Sequence, residues 1–258
     1  METNNFIYTI PSYNRVNKQI TVNYLHEIGI KKDRIYVFVQ TKEDEALYTE
    51  KIGDKANIVF KEAKRGIEAR NNILNTLVEE NNIVMLDDDI RAIGELINGK
   101  IEKIETAEKM DEAFSQCFVS CEKTKTQVFG VYPIYNHYFM ERTISTKSPI
   151  NTIFGFVKGF KDRYSERYDT KEDAELCARI LSTKRNILRF NFLCVDADHR
   201  KDKNGYIDEW HQEENIRCVK RLIIQYPRVY QMQKNKPWEV RCTLKDKKII
   251  LPGYKKRD

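Results

Sequence analysis

Three consecutive carboxylates, Asp87, Asp88 and Asp89, directly follow the short apolar run 83–86. Adjacent like charges repel each other, so three of them at the end of a buried strand need a cation or donor groups to compensate them. Carboxylate oxygens suit Mg²⁺ or Mn²⁺, which use one or two carboxylates together with substrate phosphates. The triplet therefore predicts a metal bound to a nucleotide diphosphate, and a solvated acidic turn in which one Asp caps a helix is the alternative.

A second group of candidate residues lies just past the first predicted strand, in the segment 11–15. Pro11 ends the strand, and Ser12 or Asn14 can cap the next helix. An aromatic ring and a guanidinium can contact a base and a phosphate, which makes Tyr13 and Arg15 candidate nucleotide contacts. An ordinary strand-to-helix turn has a similar composition and is the alternative.

A third group, residues 64–72, is a basic loop that leads into a predicted helix. Gly66 permits close backbone approach, and a helix amino terminus flanked by Lys64 and Arg65 suits an anion. Arg70, one turn further, is expected to face the acidic triplet, with a solvated helix face as the alternative. The loop therefore predicts a contact to the diphosphate.

The elements that hold these groups follow from hydrophobic periodicity. Strands are predicted at 6–10, 34–39, 57–61 and 83–86, and helices at 17–28, 42–51 and 66–80. Strands that alternate with helices in this way indicate an open, mostly parallel sheet. Ligands bind at the carboxyl ends of the strands in such sheets, so the loops 11–15 and 87–89 are expected to line one crevice.

The pattern becomes mixed after the triplet. Asn98-Gly99 between two β-compatible arms predicts a tight hairpin. Further helices are predicted at 107–123, 171–184 and 208–226, and further strands at 127–134, 153–158 and 187–195, whereas 141–152 has few apolar anchors. The predicted fold class is α/β, with an open, mostly parallel (mixed) sheet flanked by helices, a small β-hairpin and a C-terminal helix, in a single domain over residues 1–258.

Length and composition exclude several classes of protein. The chain has 258 residues, of which 41% are hydrophobic and 33% charged, and a net charge of +6. No apolar stretch approaches the ~20 residues that cross a bilayer, and the amino-terminal residues lack the pattern of a secretory signal. The six cysteines lack zinc-type spacing, so reduced thiols in a cytoplasmic protein are expected. The charge permits a polyanionic partner without requiring one.

Together the motifs resemble the GT-A fold glycosyltransferases over about residues 6–181. The resemblance rests on four motifs in order: IPSYNR at 10–15, GxxARNN at 66–72, the triplet at 87–89, and Lys171-Glu172-Asp173 opening a helix. The Asn-Gly hairpin, the compact length and the long terminal helix make the chain similar, within that fold, to the phage TET-associated glycosyltransferases. Those enzymes add a sugar to hydroxymethylated pyrimidines in DNA.

The resemblance implies a nucleotide diphosphate sugar, such as a UDP-sugar, as donor. In that family the first loop holds the base and the middle helix supplies an arginine near the diphosphate. The resemblance assigns Pro11, Tyr13, Arg15 and Arg70 to the donor. The full set of candidate donor contacts adds Lys64 and Arg65 of the basic loop and Asp88, the central carboxylate of the triplet.

The resemblance also implies a metal and a base. Asp87 and Asp89 are expected to bind Mn²⁺ or Mg²⁺. His199 is a candidate further ligand because imidazole suits Mn²⁺ better than Mg²⁺, and a hydrogen-bonded structural histidine is the alternative. Asp173, or else Glu172, accepts the acceptor proton if the reaction inverts the anomeric centre. In a retaining reaction Asp173 positions the acceptor instead.

The acceptor is expected to be DNA, held by residues 96–258, while residues 1–95 hold the nucleotide sugar. Cations and aromatic rings between 130 and 163 suit a nucleic acid and a flipped base. The rings at 132–139 are predicted to be sheet core, with base stacking as the alternative. Other open functions are transfer to a saccharide or protein, nucleotidyl transfer, and catalytically silent DNA binding. The absence of GxGxxG and GxxxxGK[ST] excludes a Rossmann dehydrogenase and a P-loop kinase.

Overall fold

The fold is described from a computed structural model that covers residues 6–198 and 209–250, in the second range with side chains from residue 212. The amino-terminal strands are β1 (Phe6–Pro11), β2 (Ile35–Val39), β3 (Asn57–Phe60) and β4 (Asn82–Met85). The helices between them are α1 (Ile20–Glu27), α2 (Lys42–Ile52) and α3 (Gly66–Leu77). The strands pair in parallel in the order β4-β1-β2-β3, so their carboxyl ends share one edge of the sheet.

The carboxy-terminal half extends the same sheet with mixed pairing. Its elements are β5 (Ile90–Ile97), β6 (Lys100–Lys103), α4 (Ala107–Thr124), β7 (Val128–Tyr132), β8 (Thr143–Ser145), β9 (Phe154–Phe156), α5 (Glu172–Ser182), β10 (Leu188–Ala197), α6 (Glu209–Gln225), β11 (Tyr230–Gln233), β12 (Lys236–Cys242) and β13 (Lys248–Ile250). The sheet runs β13-β8-β10-β7-β9-β4-β1-β2-β3, and β5 joins β10 to β6. β11 and β12 form a separate hairpin. The predicted open, mixed α/β sheet flanked by helices is confirmed, with parallel pairing concentrated in the amino-terminal half.

Alternation along each central strand builds two cores on opposite faces of the sheet. Tyr8 and Val84 point into a core shared with α1, α2 and α4. Ile83 and Met85 point into the other core, with α3, α5 and α6. Because both faces are covered, β4 reads as a continuous apolar run.

The predicted hairpin at Asn98-Gly99 is confirmed by its backbone. Both residues have positive φ, +48° and +77°, as a two-residue turn between twisted strands requires. The turn joins β5 to β6, and β5 begins at Ile90. The acidic triplet is therefore held between two strands of one sheet.

Four predictions about local structure are wrong. Neither Ser12 nor Asn14 caps the first helix, since α1 starts after Gln19 without a side-chain cap and follows a 3-10 turn at 16–18. The segment 141–152 contains β8, which sequence periodicity misses because Ile144 is its single apolar residue. The terminal helix is present, but three strands follow it. The rings at 132–139 are also not all core, as β7 ends at Tyr132.

Within residues 6–198 and 209–250, the helices are all too short or too polar to span a bilayer.

Candidate active site

The acidic triplet lies at the carboxyl end of β4, next to the loop that follows β1. The Leu86 amide donates to the carbonyl of Thr9, which continues the pairing with β1 to the edge of the loop. The Thr21 hydroxyl from α1 donates to the Asp87 carbonyl at 2.5 Å and accepts from the Ile90 amide at 2.9 Å. The main chain is therefore held on both sides of the carboxylates.

Asp88 connects the triplet to the loop after β1. Its carboxylate accepts from the Ser12 hydroxyl at 2.7 Å and from the Arg15 guanidinium at 2.9 Å. Burial raises the pKa of Asp88 above its usual value, although Ser12 and Arg15 oppose the shift. The Asp88 carboxylate therefore holds two loops together, which is the contact that brings the segment 11–15 to the triplet.

Ser12 is the centre of a buried polar network. Its hydroxyl lies 2.9 Å from the Tyr48 hydroxyl and accepts from the Gln19 amide at 2.8 Å. Tyr48 in turn accepts from the Arg15 main-chain N–H at 3.0 Å. Gln19 also donates to the Arg15 carbonyl at 3.0 Å, so these hydrogen bonds fix the path of the loop between β1 and α1.

Arg70 bridges the triplet and the start of α5. Its guanidinium donates to Asp87 at 2.7 Å, and its Nε lies 3.6 Å from Glu172. Burial alone would lower the pKa of Arg70, but Asp87 and Glu172 outweigh it and hold the pKa above its usual value. A fixed cation thus lies between Asp87 and Glu172, whereas the sequence predicted only that Arg70 faces the triplet.

Asp173 lies beside Glu172 in the first turn of α5. Its carboxylate accepts from the Ala174 main-chain N–H at 2.7 Å. Burial and the neighbouring Glu172 raise the pKa of Asp173 to about 7. A carboxyl group with that pKa exchanges protons near neutral pH, as a general base must.

A tyrosine missing from the sequence prediction lies close to this group. The Tyr164 side chain is 3% exposed, and its hydroxyl is buried without a hydrogen-bond partner in the described part of the chain. Burial raises its pKa, and the charges of Arg70, Glu172 and Asp173 act on it. Nothing in the spacing of the sequence marks Tyr164, because its neighbours come from α3 and α5.

The end of β10 lies next to the third carboxylate of the triplet. The Asp198 main-chain N–H donates to the Asp89 carbonyl at 3.0 Å, and the Asp198 carboxylate forms an ion pair with Arg91. Asp89 is half-buried as a residue, and its Oδ1 atom is buried. His199, the predicted further ligand, lies outside the described residues.

The cations predicted to contact the donor lie in different places in the structure. The Arg65 guanidinium contacts Glu68 at 2.8 Å, the Glu166 carbonyl at 2.9 Å and Asp169 at 3.2 Å. Lys64 is exposed, and its main-chain N–H donates to Glu68. Arg65 therefore ties α3 to the loop before α5, whereas Arg70 reaches the triplet.

The remaining donor candidates lie at the rim. Tyr13 is 49% exposed, and Pro11 is half-buried at the end of β1. A Cβ at Gly66 would meet no atom within 4 Å, so the space beside the start of α3 is open. An open rim next to a fixed acidic loop leaves room for a nucleotide.

The carboxylates of Asp87 and Asp89 fit a hard cation such as Mg²⁺ or Mn²⁺. No group of three or more His, Cys, Asp or Glu residues with metal-binding geometry occurs in the described ranges 6–198 and 209–250. Two carboxylates suffice when substrate phosphates complete the coordination shell. The donor set therefore suits a metal that binds together with a diphosphate.

Exposed apolar side chains occur in the segment 134–139, between β7 and β8. Ile134, Tyr135, Tyr138 and Phe139 are between 38% and 76% exposed. The His137 and Tyr138 rings contact each other at a tilt of 34°, with centroids 4.1 Å apart. Tyr135 is close enough to Asp196 for its pKa to be raised by that carboxylate as well as by burial. The alternative of an exposed stacking surface is thus available near the end of β10.

The fold and the site define an α/β protein of the GT-A type, with a parallel amino-terminal half and an acidic strand-end loop. The model of the TET-associated glycosyltransferase family matches residues 6–205. The chain belongs to this family.

A solved structure shows the same fold at low sequence identity, and a second is similar over a comparable length. The mannosyltransferase PcManGT from Pyrobaculum calidifontis, solved in complex with GDP-Man and Mn²⁺, is 13% identical with a TM-score of 0.51; the match covers 85% of this chain and 62% of that one. A cytidylyltransferase from Leptospira borgpetersenii is 10% identical, with 86% and 95% covered and a TM-score of 0.44. The chain thus spans less than two thirds of the mannosyltransferase. A search of curated proteins finds no match.

Proposed function

We propose that the protein transfers a sugar from a nucleotide diphosphate sugar, in the first instance a UDP-sugar, to a hydroxyl acceptor in a metal-dependent reaction. The observation that carries the proposal is the contact of Arg70 with both Asp87 and Glu172 at the carboxyl end of β4. Membership of a glycosyltransferase family supports it. Residues 1–95 then form the donor half, and residues 96–258 the acceptor half.

The donor is bound at the rim of the acidic loop. Tyr13 and Arg15 contact the base and a phosphate, and Lys64 is an exposed cation next to the open start of α3. Asp87 and Asp89 hold Mn²⁺ or Mg²⁺, which neutralises charge on the departing diphosphate. Arg70 adds a second fixed positive charge at the same place, one that needs no reorganisation during the reaction.

Asp173 acts on the acceptor. With a pKa of about 7 it is partly ionised at neutral pH and can accept the hydroxyl proton in an inverting reaction. In a retaining reaction the same carboxylate orients the hydroxyl. Glu172 is held by Arg70 and keeps the neighbouring proton on Asp173 through its negative charge.

The acceptor that we propose is a hydroxymethylated pyrimidine in DNA, such as 5-hydroxymethylcytosine. The family description supports it, as do the exposed rings at 134–139. Tyr135 lies near Asp196, and the Asp198 main chain bonds to Asp89, so Tyr135 lies towards the end of β10 that meets the acidic loop. A base inside a duplex must be flipped out to reach such a site, and aromatic rings can stack on its face.

The donor proposal is tested by thermal denaturation with a panel of nucleotide sugars and Mn²⁺. The correct donor raises the unfolding temperature of the wild-type protein by mass action. Asp89→Ala is expected to lose the Mn²⁺-dependent part of the shift. The control Asp54→Ala changes an exposed carboxylate just beyond the carboxyl end of α2 and is expected to keep the shift. No shift with any nucleotide sugar contradicts donor binding.

The acceptor proposal is tested with radiolabelled sugar nucleotide and matched DNA. Label in hydroxymethylated DNA, with none in plain DNA of the same sequence, supports the acceptor. Label in both or in neither refutes it, and release of pyrophosphate in place of a nucleoside diphosphate identifies nucleotidyl transfer instead.

A further inference from the structure

The segment after the family match carries an excess of positive charge. The match ends at residue 205, whereas α6, β11 and β12 follow it. Residues 212–250 contain ten Lys and Arg against four Asp and Glu. The excess in this segment is as large as the +6 of the whole chain, so the chain's net charge is concentrated here.

Part of this charge lines an open groove between α6 and the loop before α5. The lining residues are Arg167, Arg217, Lys220, Arg221, Ile224 and Gln225. The five from α6 are spaced by three and four residues, which places them on one face of the helix. The groove is therefore a cationic stripe of more than two helical turns.

Two of these cations are available to a ligand. Arg217 forms an ion pair with Glu214, and Arg221 donates to the Arg167 carbonyl. The side chains of Arg167 and Lys220 are exposed and form no ion pair with any residue in the described ranges. The lining of the groove contains no Asp or Glu, and unpaired cations on such a surface attract polyanions.

The groove is attached to the proposed acceptor site. The Tyr168 hydroxyl donates to Gln225 at the end of α6 at 2.8 Å. Just beyond α6, the Tyr226 hydroxyl donates to Glu175 at 2.7 Å and the Tyr230 hydroxyl donates to the Ala174 carbonyl at 3.1 Å, so the end of α6 and the start of β11 are bonded to the first turn of α5 and the loop before it. Arg167 lies six positions before Asp173 in the chain. Their Cα atoms are therefore at most ~21 Å apart, the length of six fully extended residues.

We propose that this groove binds the phosphate backbone of the nucleic-acid acceptor, an inference that rests on the proposed DNA acceptor. A DNA strand carries one phosphate per ~3.4 Å of axis, so a duplex with its target base at Asp173 presents phosphates within about six nucleotides at the distance of the groove. Arg167 and Lys220 each contact a phosphate. The stripe positions the duplex and reads no sequence.

The test is the salt dependence of binding to a fluorescein-labelled 20-base-pair DNA duplex, measured by anisotropy between 50 and 200 mM KCl. The double variant Arg167→Gln/Lys220→Gln is expected to bind more weakly, with the slope of log affinity against log salt reduced by about two. The control, Lys109→Gln/Lys123→Gln, neutralises two exposed lysines of α4 on the other face of the sheet and is expected to match the wild type.

Equal affinity and slope for the two double variants overturn the proposal, as does a wild-type protein that does not bind the duplex. Binding of phosphatidylglycerol vesicles that depends on Arg167 and Lys220, without DNA binding, overturns it in favour of a membrane surface. The nucleotide-sugar shift with Mn²⁺ is measured on the same proteins. If the wild-type protein shows no such shift, the proposed glycosyltransferase function is refuted. If the shift is present but the protein does not bind DNA, only the proposed role of the groove is refuted.

Discussion

The guanidinium of Arg70 lies 2.7 Å from the carboxylate of Asp87. Because Arg70 belongs to α3 and Asp87 follows β4, the contact crosses the carboxyl end of the parallel strands. The same guanidinium extends to Glu172 at the start of α5. One side chain thus contacts both a proposed metal ligand, Asp87, and Glu172, the neighbour of the proposed base Asp173.

Replacing Arg70 by Gln is expected to lower both stability and donor binding. Asp87 and Glu172 lose their common cation, and the loss of a hydrogen bond to a charged group lowers the unfolding free energy by about 1.5–3 kcal/mol. The nucleotide-sugar shift with Mn²⁺ should also disappear. Both are measured by urea unfolding and thermal denaturation. Arg65→Gln is the control, because the ion pairs that it breaks are more exposed to solvent than those of Arg70. Equal effects of the two variants would contradict a special position for Arg70.

Ser12→Ala is expected to loosen the loop after β1. The substitution removes the donor to Asp88 and the partner of Tyr48 and Gln19. Buried groups left without a partner cost about 1–3 kcal/mol, measured as the change in unfolding free energy. Ser182→Ala, at an exposed site, should stay within about 0.5 kcal/mol of the wild type. If Ser12→Ala is as stable as that control, the hydrogen bonds of Ser12 do not fix the loop after β1.

Asp173→Asn is expected to change the pH dependence of stability. The folded pKa of about 7 exceeds the ordinary value of 3.8, so the folded state binds the Asp173 proton more tightly than the unfolded state. The stability from this group is full below about pH 4 and is lost as the pH rises to 7. The variant should therefore match the wild type near pH 4 and be more stable at pH 8.

The same substitution tests the proposed base. Turnover of the wild type should rise through pH 7, and Asp173→Asn should remove both the rise and most of the activity. If the turnover of Asp173→Asn still rises through pH 7, a group other than Asp173 accepts the acceptor proton.

Tyr164→Phe is expected to stabilise the protein. The variant removes a buried hydroxyl that has no partner among the described residues, and such a group costs about 1–3 kcal/mol. Tyr24→Phe is the matched control, because its hydroxyl donates to the Ile104 carbonyl at 2.8 Å and its loss should destabilise. A lower unfolding temperature for Tyr164→Phe shows that the hydroxyl is bonded in the resting protein.

Local periodicity determined most of the elements in this chain. The apolar run 83–86 predicts β4 because both of its faces are covered, and Asn98-Gly99 predicts the hairpin because both residues accept positive φ. The crevice between the loops 11–15 and 87–89 follows from the parallel order of the strands. These features depend on residues near each other in the chain, so spacing alone reveals them.

Only the tertiary structure decided which charged groups meet. Arg65 and Arg70 look alike in the sequence, yet one contacts the loop 166–169 and the other contacts Asp87. Asp88 resembles its neighbours but is buried against Ser12. β8 forms because its strand pairs with β10 and β13, although its own residues give little signal. Such contacts join residues far apart in the chain, and the order and register of the sheet, which no local pattern encodes, bring them together.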